Sequence, residues 1–86
     1  MKDMTNDDET RVKRVVCSTL QIADDRYSEE LAAGSIPEWD SVAHVGLIMA
    51  IENEFGIALD VTDAVDIESV GDLLVVLERY FGHGTP

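Results

Sequence analysis

Apolar and polar residues follow helical spacing in three segments of the chain. In the first segment, apolar positions recur three and four residues apart, which predicts an amphipathic helix. Either Thr5 or Asn6 is placed to cap this helix, just ahead of three acidic residues that suit its N-terminal dipole. The predicted apolar face comprises Val12, Val15, Val16, Thr19, Leu20 and Ala23.

The second helical segment begins at two cap residues, Asp40 and Ser41, and Gly56 predicts its end. Val42, Val45, Ile48, Met49, Glu52 and Phe55 follow the helical spacing, and Leu47 and Ile51 widen the stripe. A surface helix needs an apolar stripe only about 100° wide, and this one is wider. The excess lies around Ala43, Val45, Gly46 and Met49. Either part of an apolar face is left for a partner, or the helix is central and packed on several sides.

Two further helices are predicted near the end of the chain. The aspartate-rich stretch fits a short helix near Val61 to Asp66. Glu68 and Ser69 offer a cap for a last helix, whose apolar positions are Val70, Leu73, Leu74, Leu77 and Phe81. No segment alternates with a period of two, so the prediction is an all-α fold with three main helices and one short helix.

A long connection, Asp24 to Asp40, separates the first two helices and has no sustained period. Pro37 disfavours helix at the residue before it, and we expect Ile36 and Trp39 to attach the loop to the core. Loops of this length are uncommon in compact domains and are often functional. The expected organisation is a single domain over residues 1–86, folded from about 5 to 82, with a frayed tail at 83–86.

The charge is −12 over 86 residues, and it is unevenly distributed. Residues 1–26 carry five basic side chains and six acidic ones, whereas residues 27–86 carry Arg79 alone against twelve acids. This balance disfavours nucleic acid and anionic membrane surfaces as partners. It favours basic protein surfaces, although ordinary solubility would also account for it.

The single cysteine, Cys17, rules out an internal disulfide and suits a reducing compartment. Because Cys17 lies in a helical pattern, we interpret it as a packing residue. The first ten residues lack the apolar stretch of a secretory signal, and the longest apolar run is far too short to span a bilayer. We therefore expect a cytoplasmic protein.

The sequence offers little catalytic chemistry. Asp40, Ser41 and His44 lie too close together on one helix to provide the geometry of a catalytic triad. The acids from Asp60 to Glu68 do not match the spacing of a calcium loop, which leaves at most weak, non-specific divalent binding. We predict no catalytic residue and no metal site. A phosphate ester on Ser41 would suit a helix N-terminus, although an Asp-Ser pair also serves as a plain cap.

The segment Glu38-Trp39-Asp40-Ser41-Val42 is followed by Leu47 to Ile57, in which Phe55 lies fourteen residues after Ser41. These residues and their spacing resemble the acyl carrier protein family. Segments 11–16 and 67–73 are similar to the family's first helix and to the start of its last helix. The resemblance covers about residues 8–82.

The resemblance implies a four-helix bundle with a long first loop. It also implies that Ser41 is the attachment point of 4′-phosphopantetheine, supplied by coenzyme A, with Asp40 as the flanking motif residue. The arm would hold an acyl or aminoacyl group as a thioester, so the protein itself would not be an enzyme. The implied partners are a phosphopantetheinyl transferase, an acyl- or aminoacyl-loading ligase, and a downstream synthase or transferase with a basic docking surface. A monomer is expected.

The partner face is expected around the modified end of the second helix and along the short helix, and the resemblance bears on the pathway. The expected face comprises Val42, Val45, Met49, Glu52, Glu54, Asp60, Asp63 and Asp66. Val42 replaces the usual leucine, and Ala43, His44 and Gly46 leave a neutral gap where fatty-acid carriers place acids. With Trp39 directly before Asp40-Ser41, this motif resembles that of carriers of D-alanine, amino acids and specialised metabolites. We therefore expect a carrier that serves one dedicated biosynthetic pathway. Polyketide synthesis and nonribosomal peptide synthesis are among the possible pathways. The alternatives are a housekeeping fatty-acid carrier and a non-carrier acidic interaction module.

Overall fold

A computed structural model describes residues 6–82, which form four α-helices. They are α1 (Asn6–Leu20), α2 (Ser41–Phe55), α3 (Val61–Asp66) and α4 (Val70–Gly82), with one 3-10 turn at Asp24–Arg26. An isolated bridge is the sole β feature in this described part of the chain. The all-α prediction is confirmed, including the short third helix. The predicted cap at Thr5 and the predicted tail at 83–86 lie outside the described residues.

The first helix buries its apolar face as predicted but ends earlier than its periodicity suggests. The helix stops at Leu20, because Gln21 adopts a left-handed conformation with a φ of 59°. The N–H of Ile22 then donates to the carbonyl of Cys17 at 3.0 Å, which closes the last turn. Ala23 is exposed beyond this end, so its predicted place on the helix face is wrong.

Both ends of α2 are where the sequence predicts them. The carboxylate of Asp40 accepts a hydrogen bond from the backbone N–H of Ala43 at 2.8 Å, as an N-cap does. Gly56 ends the helix with a φ of 66°, and the N–H of Ile57 donates to the carbonyl of Glu52 at 3.1 Å. Capping at both ends fixes the register of α2, and therefore the position of its first residue.

The structure decides between the two explanations for the broad apolar surface of α2. Leu47, Ile48 and Ile51 face the core. On the opposite side, Val42, Val45 and Met49 are 81%, 59% and 62% exposed. An apolar face is therefore left uncovered within the described chain. Two residues grouped with it, Ala43 and Gly46, are half-buried instead.

The long connection is hydrogen-bonded to the start of α4. The N–H of Ala33 donates to the carbonyl of Glu68 at 2.8 Å, and the N–H of Val70 donates to the carbonyl of Leu31 at 2.9 Å. Trp39, near the end of the connection, has no exposed surface, and Ile36 packs partly buried beside the core. These contacts hold the segment that leads into α2, as the sequence predicts for Ile36 and Trp39.

Two side-chain hydrogen bonds cap α4. Ser69 Oγ accepts from the N–H of Asp72, and Asp72 Oδ2 accepts from the N–H of Glu68, both at 3.1 Å. The first of these bonds is that of a capping box, but the second goes to Glu68, one residue before the cap, instead of to the N–H of Ser69 itself. Ser69 is thus the cap residue of the predicted pair.

One hydrophobic core joins α1, α2, α4 and the long connection. Its fully enclosed side chains are Trp39, Leu47, Ile51, Ile67, Leu73, Leu77, Val12, Val16 and Val70. Among residues 6–82, no helix combines the length and the apolar character needed to cross a bilayer.

Candidate functional site

Ser41 is the first residue of α2 and is exposed at the edge of an open groove. The groove has a volume of about 490 Å³ and runs between the end of the long connection, α2 and α3. Its lining residues are Ala33, Gly34, Trp39, Asp40, Ser41, His44, Val65, Ile67 and Glu68. A hydroxyl in this position can be reached from solvent by a large enzyme and can carry a bulky substituent.

The charge around Ser41 suits a phosphodiester on its hydroxyl. The first N–H groups of a helix have no partner within the helix and, with the helix dipole, attract anions. The first turn of α2 contains no acidic side chain. The carboxylate of the preceding residue, Asp40, accepts from the backbone N–H of Ala43, and Glu68 is the other acidic residue in the groove lining. The residues present therefore fit a phosphate-linked arm on Ser41.

Beside Ser41, His44 connects the long loop to α3. The indole Nε1 of Trp39 donates to His44 Nδ1 at 3.1 Å, and His44 Nε2 lies 3.2 Å from the backbone oxygen of Ala64. Because an indole N–H can only donate, Nδ1 must be the acceptor. The hydrogen of the neutral ring is then on Nε2, which donates to the carbonyl. The two rings are close to parallel, with an interplanar angle of 19° and centroids 6.1 Å apart.

These contacts exclude a catalytic triad at the start of α2. Both ring nitrogens of His44 already have partners, Trp39 and Ala64. The carboxylate of Asp40 is committed to the N–H of Ala43 and orients no histidine. His44 is half-buried and connects the long loop to α3.

The predicted partner-face residues fall into an exposed apolar set and a set of acids. Val42, Val45 and Met49 lie on one exposed side of α2. Two further valines, Val61 and Val65 on α3, are 80% and 69% exposed, and Val65 lines the groove beside Ser41. These exposed residues make up the outer valine–methionine face: Val42, Val45, Met49, Val61 and Val65.

Three of the acids have partners within the chain. Glu54 is turned toward α1, where its carboxylate accepts from Arg11 Nε at 2.8 Å. Asp63 accepts from Arg79 at 3.2 Å and from the hydroxyl of Tyr80 at 2.9 Å. Glu52 accepts from the backbone N–H of Leu59 at 2.8 Å. Asp60 and Asp66 are exposed on or beside α3.

Sequence reasoning missed Val61, Val65 and the connecting role of His44. The two valines are four residues apart, which places them on one face of α3, and this spacing was the available signal. No comparable signal exists for His44, because its carbonyl partner on Ala64 is twenty positions away in the sequence.

Cys17 is buried on α1, and burial raises the pKa of its thiol, with Asp24 acting in the same direction. A buried, protonated thiol is a poor nucleophile. This environment fits the packing role inferred from the sequence and gives Cys17 no part in the site.

Comparison with known proteins identifies the class to which this fold and site belong. Residues 38–82 match the family described as "Phosphopantetheine attachment site". The matched segment begins three residues before Ser41 and ends with α4, so it contains the groove and its whole lining except Ala33 and Gly34. The class is that of phosphopantetheine-dependent carriers.

Two relatives define the family further. The chain is 30% identical over 73 residues to "Acyl carrier protein" of Thermotoga maritima, which covers 85% of this chain and 90% of that protein. It is 31% identical over 74 residues to "Acyl carrier protein 3, chloroplastic" of Cuphea lanceolata, covering 86% of this chain and about half, 52%, of that protein. The chain belongs to the acyl carrier protein family.

Membership of this family defines the general chemistry. Such proteins are carriers and not enzymes, and their prosthetic group is a covalently attached 4′-phosphopantetheine. The group supplies a terminal thiol that holds cargo as a thioester, while the protein supplies attachment, presentation and contact with other enzymes. Phosphopantetheinyl transferases and synthases are the general partners of such carriers.

Proposed function

We propose that Ser41 carries the 4′-phosphopantetheine arm and that the protein presents acyl or aminoacyl thioesters to the enzymes of a dedicated biosynthetic pathway in the cytoplasm. The observation that carries this proposal is the position of Ser41, an exposed hydroxyl at the capped start of α2. A flexible arm at this point would raise the effective concentration of cargo at any enzyme docked nearby.

The attachment site is tested by intact mass after incubation with coenzyme A and a broad-specificity phosphopantetheinyl transferase. The wild-type protein should gain the mass of one phosphopantetheinyl group, and Ser41→Ala should gain none. Ser28→Ala is the matched control, because Ser28 is an exposed serine in the long connection outside the groove. A gain in Ser41→Ala, or none in the wild type, would refute the assignment.

The outer valine–methionine face is the proposed docking surface for these enzymes. It lies on the two helices that border Ser41, and Asp60 and Asp66 provide negative charge at its margin. A partner of matching chemistry has an apolar patch surrounded by basic side chains. Glu52, Glu54 and Asp63 add to the negative field, but each also has an intramolecular partner.

Met49→Arg tests the docking surface. A charge at this position should reduce the transferase's kcat/KM by about tenfold or more, which is the loss expected when an apolar contact residue is replaced in an interface. Val75→Arg is the control, since Val75 on α4 is 58% exposed and Met49 is 62% exposed. Equal rates for the two variants, or loss of helical circular dichroism in Met49→Arg, would remove Met49 from the docking surface.

The proposal of a dedicated pathway rests on the neutral, apolar start of α2. Val42 and Val45 occupy the exposed side of the first two turns, and the first turn has no acid. A fatty-acid synthase partner that recognises acids there would find none. A housekeeping fatty-acid carrier is the competing assignment. Efficient transfer of a malonyl group from this carrier through a fatty-acid elongation system would favour that alternative.

A further inference from the structure

The groove beside Ser41 is closed toward the bundle interior by buried apolar side chains. Trp39 has no exposed surface, although it contributes to the floor of the groove in which Ser41 lies. Ile67, also in the lining, is 1% exposed. The route from the arm's attachment point into the core is therefore filled by packed side chains.

Directed hydrogen bonds hold this closure in place. Trp39 donates to one ring nitrogen of His44, and the other ring nitrogen donates to the carbonyl of Ala64 on α3. The side chain of His44 thus connects the loop, α2 and α3 across the side of the bundle that an arm on Ser41 would face. These three residues form the Trp39–His44–Ala64 bridge.

Opening the bridge is costly. An acyl chain that passed between α2 and α3 would have to separate His44 from Ala64 and displace an indole whose N–H is already paired. Buried donors and acceptors left without partners destabilise a fold. Displacing Trp39 would also leave the space that its side chain occupies in the core unfilled. A long apolar chain gains by burial in proportion to its length, but the groove beside Ser41 is open to solvent, and packed side chains such as Trp39 and Ile67 separate it from the core.

We infer that the Trp39–His44–Ala64 bridge keeps the cargo outside the bundle, which suits this carrier to short or polar acyl groups, aminoacyl groups included. The inference rests on the proposed attachment at Ser41 and names the class of cargo. A short or polar cargo loses nothing by remaining in water, whereas a long alkyl chain would be left exposed on the surface.

The test loads one arm with cargo of increasing length. Acetyl-, hexanoyl- and decanoyl-phosphopantetheine are transferred from the matching coenzyme A thioesters, and intact mass verifies each form. Failure to load would count against attachment at Ser41 itself, so it is distinguishable from failure of the cargo inference. The readouts are the melting temperature and the rate at which hydroxylamine cleaves the thioester.

In the wild-type protein, the three forms should melt at the same temperature. Hydroxylamine should cleave their thioesters at rates within about twofold of one another, because all three thioesters are equally exposed. A chain buried in the core would stabilise the fold and shield the thioester. A decanoyl form that melts about 4 °C or more above the acetyl form, with cleavage slowed several-fold, would overturn the inference.

His44→Ala tests whether the bridge is responsible. Removing the ring opens the side of the bundle facing the arm, so the decanoyl form of this variant should be cleaved more slowly than its acetyl form. Val75→Ala, an exposed change on α4, should behave like the wild type. Equal cleavage rates in the His44→Ala series would overturn the role of the bridge. If His44→Ala does not fold, Trp39→Phe replaces it, since phenylalanine is smaller and lacks the N–H donor.

Discussion

At the residue scale, two adjacent side chains at the start of α2 have separate tasks. Asp40 ends the long connection by capping the helix, and Ser41 presents its hydroxyl to solvent. The division is physically sensible, because a serine that served as the cap would have its hydroxyl engaged with the backbone. Placing the cap one residue earlier leaves Ser41 available for chemistry.

Replacing Asp40 tests this division. Asp40→Ala removes the acceptor for the N–H of Ala43 and should lower the free energy of unfolding by about 1 kcal/mol. Asp40→Asn keeps an oxygen in the same position and should recover most of that loss. Urea unfolding followed by circular dichroism measures both. An Asp40→Ala variant as stable as the wild type would show that the cap contributes nothing to α2.

Tyr27 predicts a dependence of stability on alkaline pH. Burial raises the pKa of its phenol to about 12, with Glu29 and Glu9 adding to the effect. A group whose pKa is higher in the folded state stabilises the fold below its unfolded pKa. That contribution is lost as pH rises from about 10 to about 12.

Tyr27→Phe isolates this effect. The difference in unfolding free energy between the variant and the wild type should shift in favour of the variant by on the order of 1 kcal/mol between pH 9 and pH 11.5. Chemical denaturation at the two pH values gives the difference directly. A constant difference across this range would mean that Tyr27 ionises equally easily in the folded and unfolded chain.

At the element scale, the helix ends show which local signals were sufficient. Gly56 was predicted as a stop because glycine adopts positive φ without steric penalty, and it does so. Gln21 ends α1 in the same conformation, but glutamine carries no such signal, and the end of α1 was placed too late. The caps at Asp40 and Ser69 were predictable because each depends on neighbours within three residues.

Glycine substitutions within and after α2 should act in opposite directions. Gly46 is inside the helix, and an added Cβ would lie 4.0 Å from Thr19 Cγ2, an ordinary contact. Gly46→Ala should therefore raise the free energy of unfolding by about 0.5–1 kcal/mol. Gly56→Ala meets no neighbour but must keep a φ of 66°, so it should destabilise the fold by about 1 kcal/mol. Thermal melts of both variants give the signs, and a destabilising Gly46→Ala would mean that α1 and α2 cannot accommodate the methyl group.

The faces of α2 were harder to predict than its ends. Apolar residues surround most of its first turns, so periodicity could not decide which side is buried. The core side consists of Leu47, Ile48 and Ile51, while Val42 and Met49 of the predicted series are exposed. Tertiary packing against α1 and α4 makes this choice, and no local pattern encodes it.

At the scale of the whole molecule, the net charge of −12 opposes compaction. Like charges repel most at low ionic strength, since the Debye length is about 30 Å at 0.01 M and about 10 Å at 0.1 M salt. The melting temperature should therefore rise by several degrees between 0.01 M and 0.1 M salt. The conversion is about 4 °C for each kcal/mol of repulsion that the salt removes. Sodium chloride and choline chloride should act alike, and a flat or falling melting temperature would contradict this account.

Much of the fold could be predicted from the sequence because short segments specify the helices and the residues that resemble the family lie within short segments. The helix order, the caps of α2 and α4, and the attachment of Trp39 to the core all follow from neighbouring residues. The Arg11–Glu54 contact and the Trp39–His44–Ala64 bridge do not, because their partners are 43 and 20 positions apart. The bridge determines which groups near Ser41 are engaged, and the Arg11–Glu54 contact turns Glu54, at the other end of α2, toward α1.

The measurement that most directly tests the central claim is tandem mass spectrometry of the protein purified from the cells that make it. The peptide containing Ser41 should carry phosphopantetheine, and fragmentation should release the arm together with a short or polar acyl or aminoacyl group. Ser41 unmodified in every molecule, or an arm attached to a different residue, would contradict the account of Ser41 as the point from which this carrier presents its cargo.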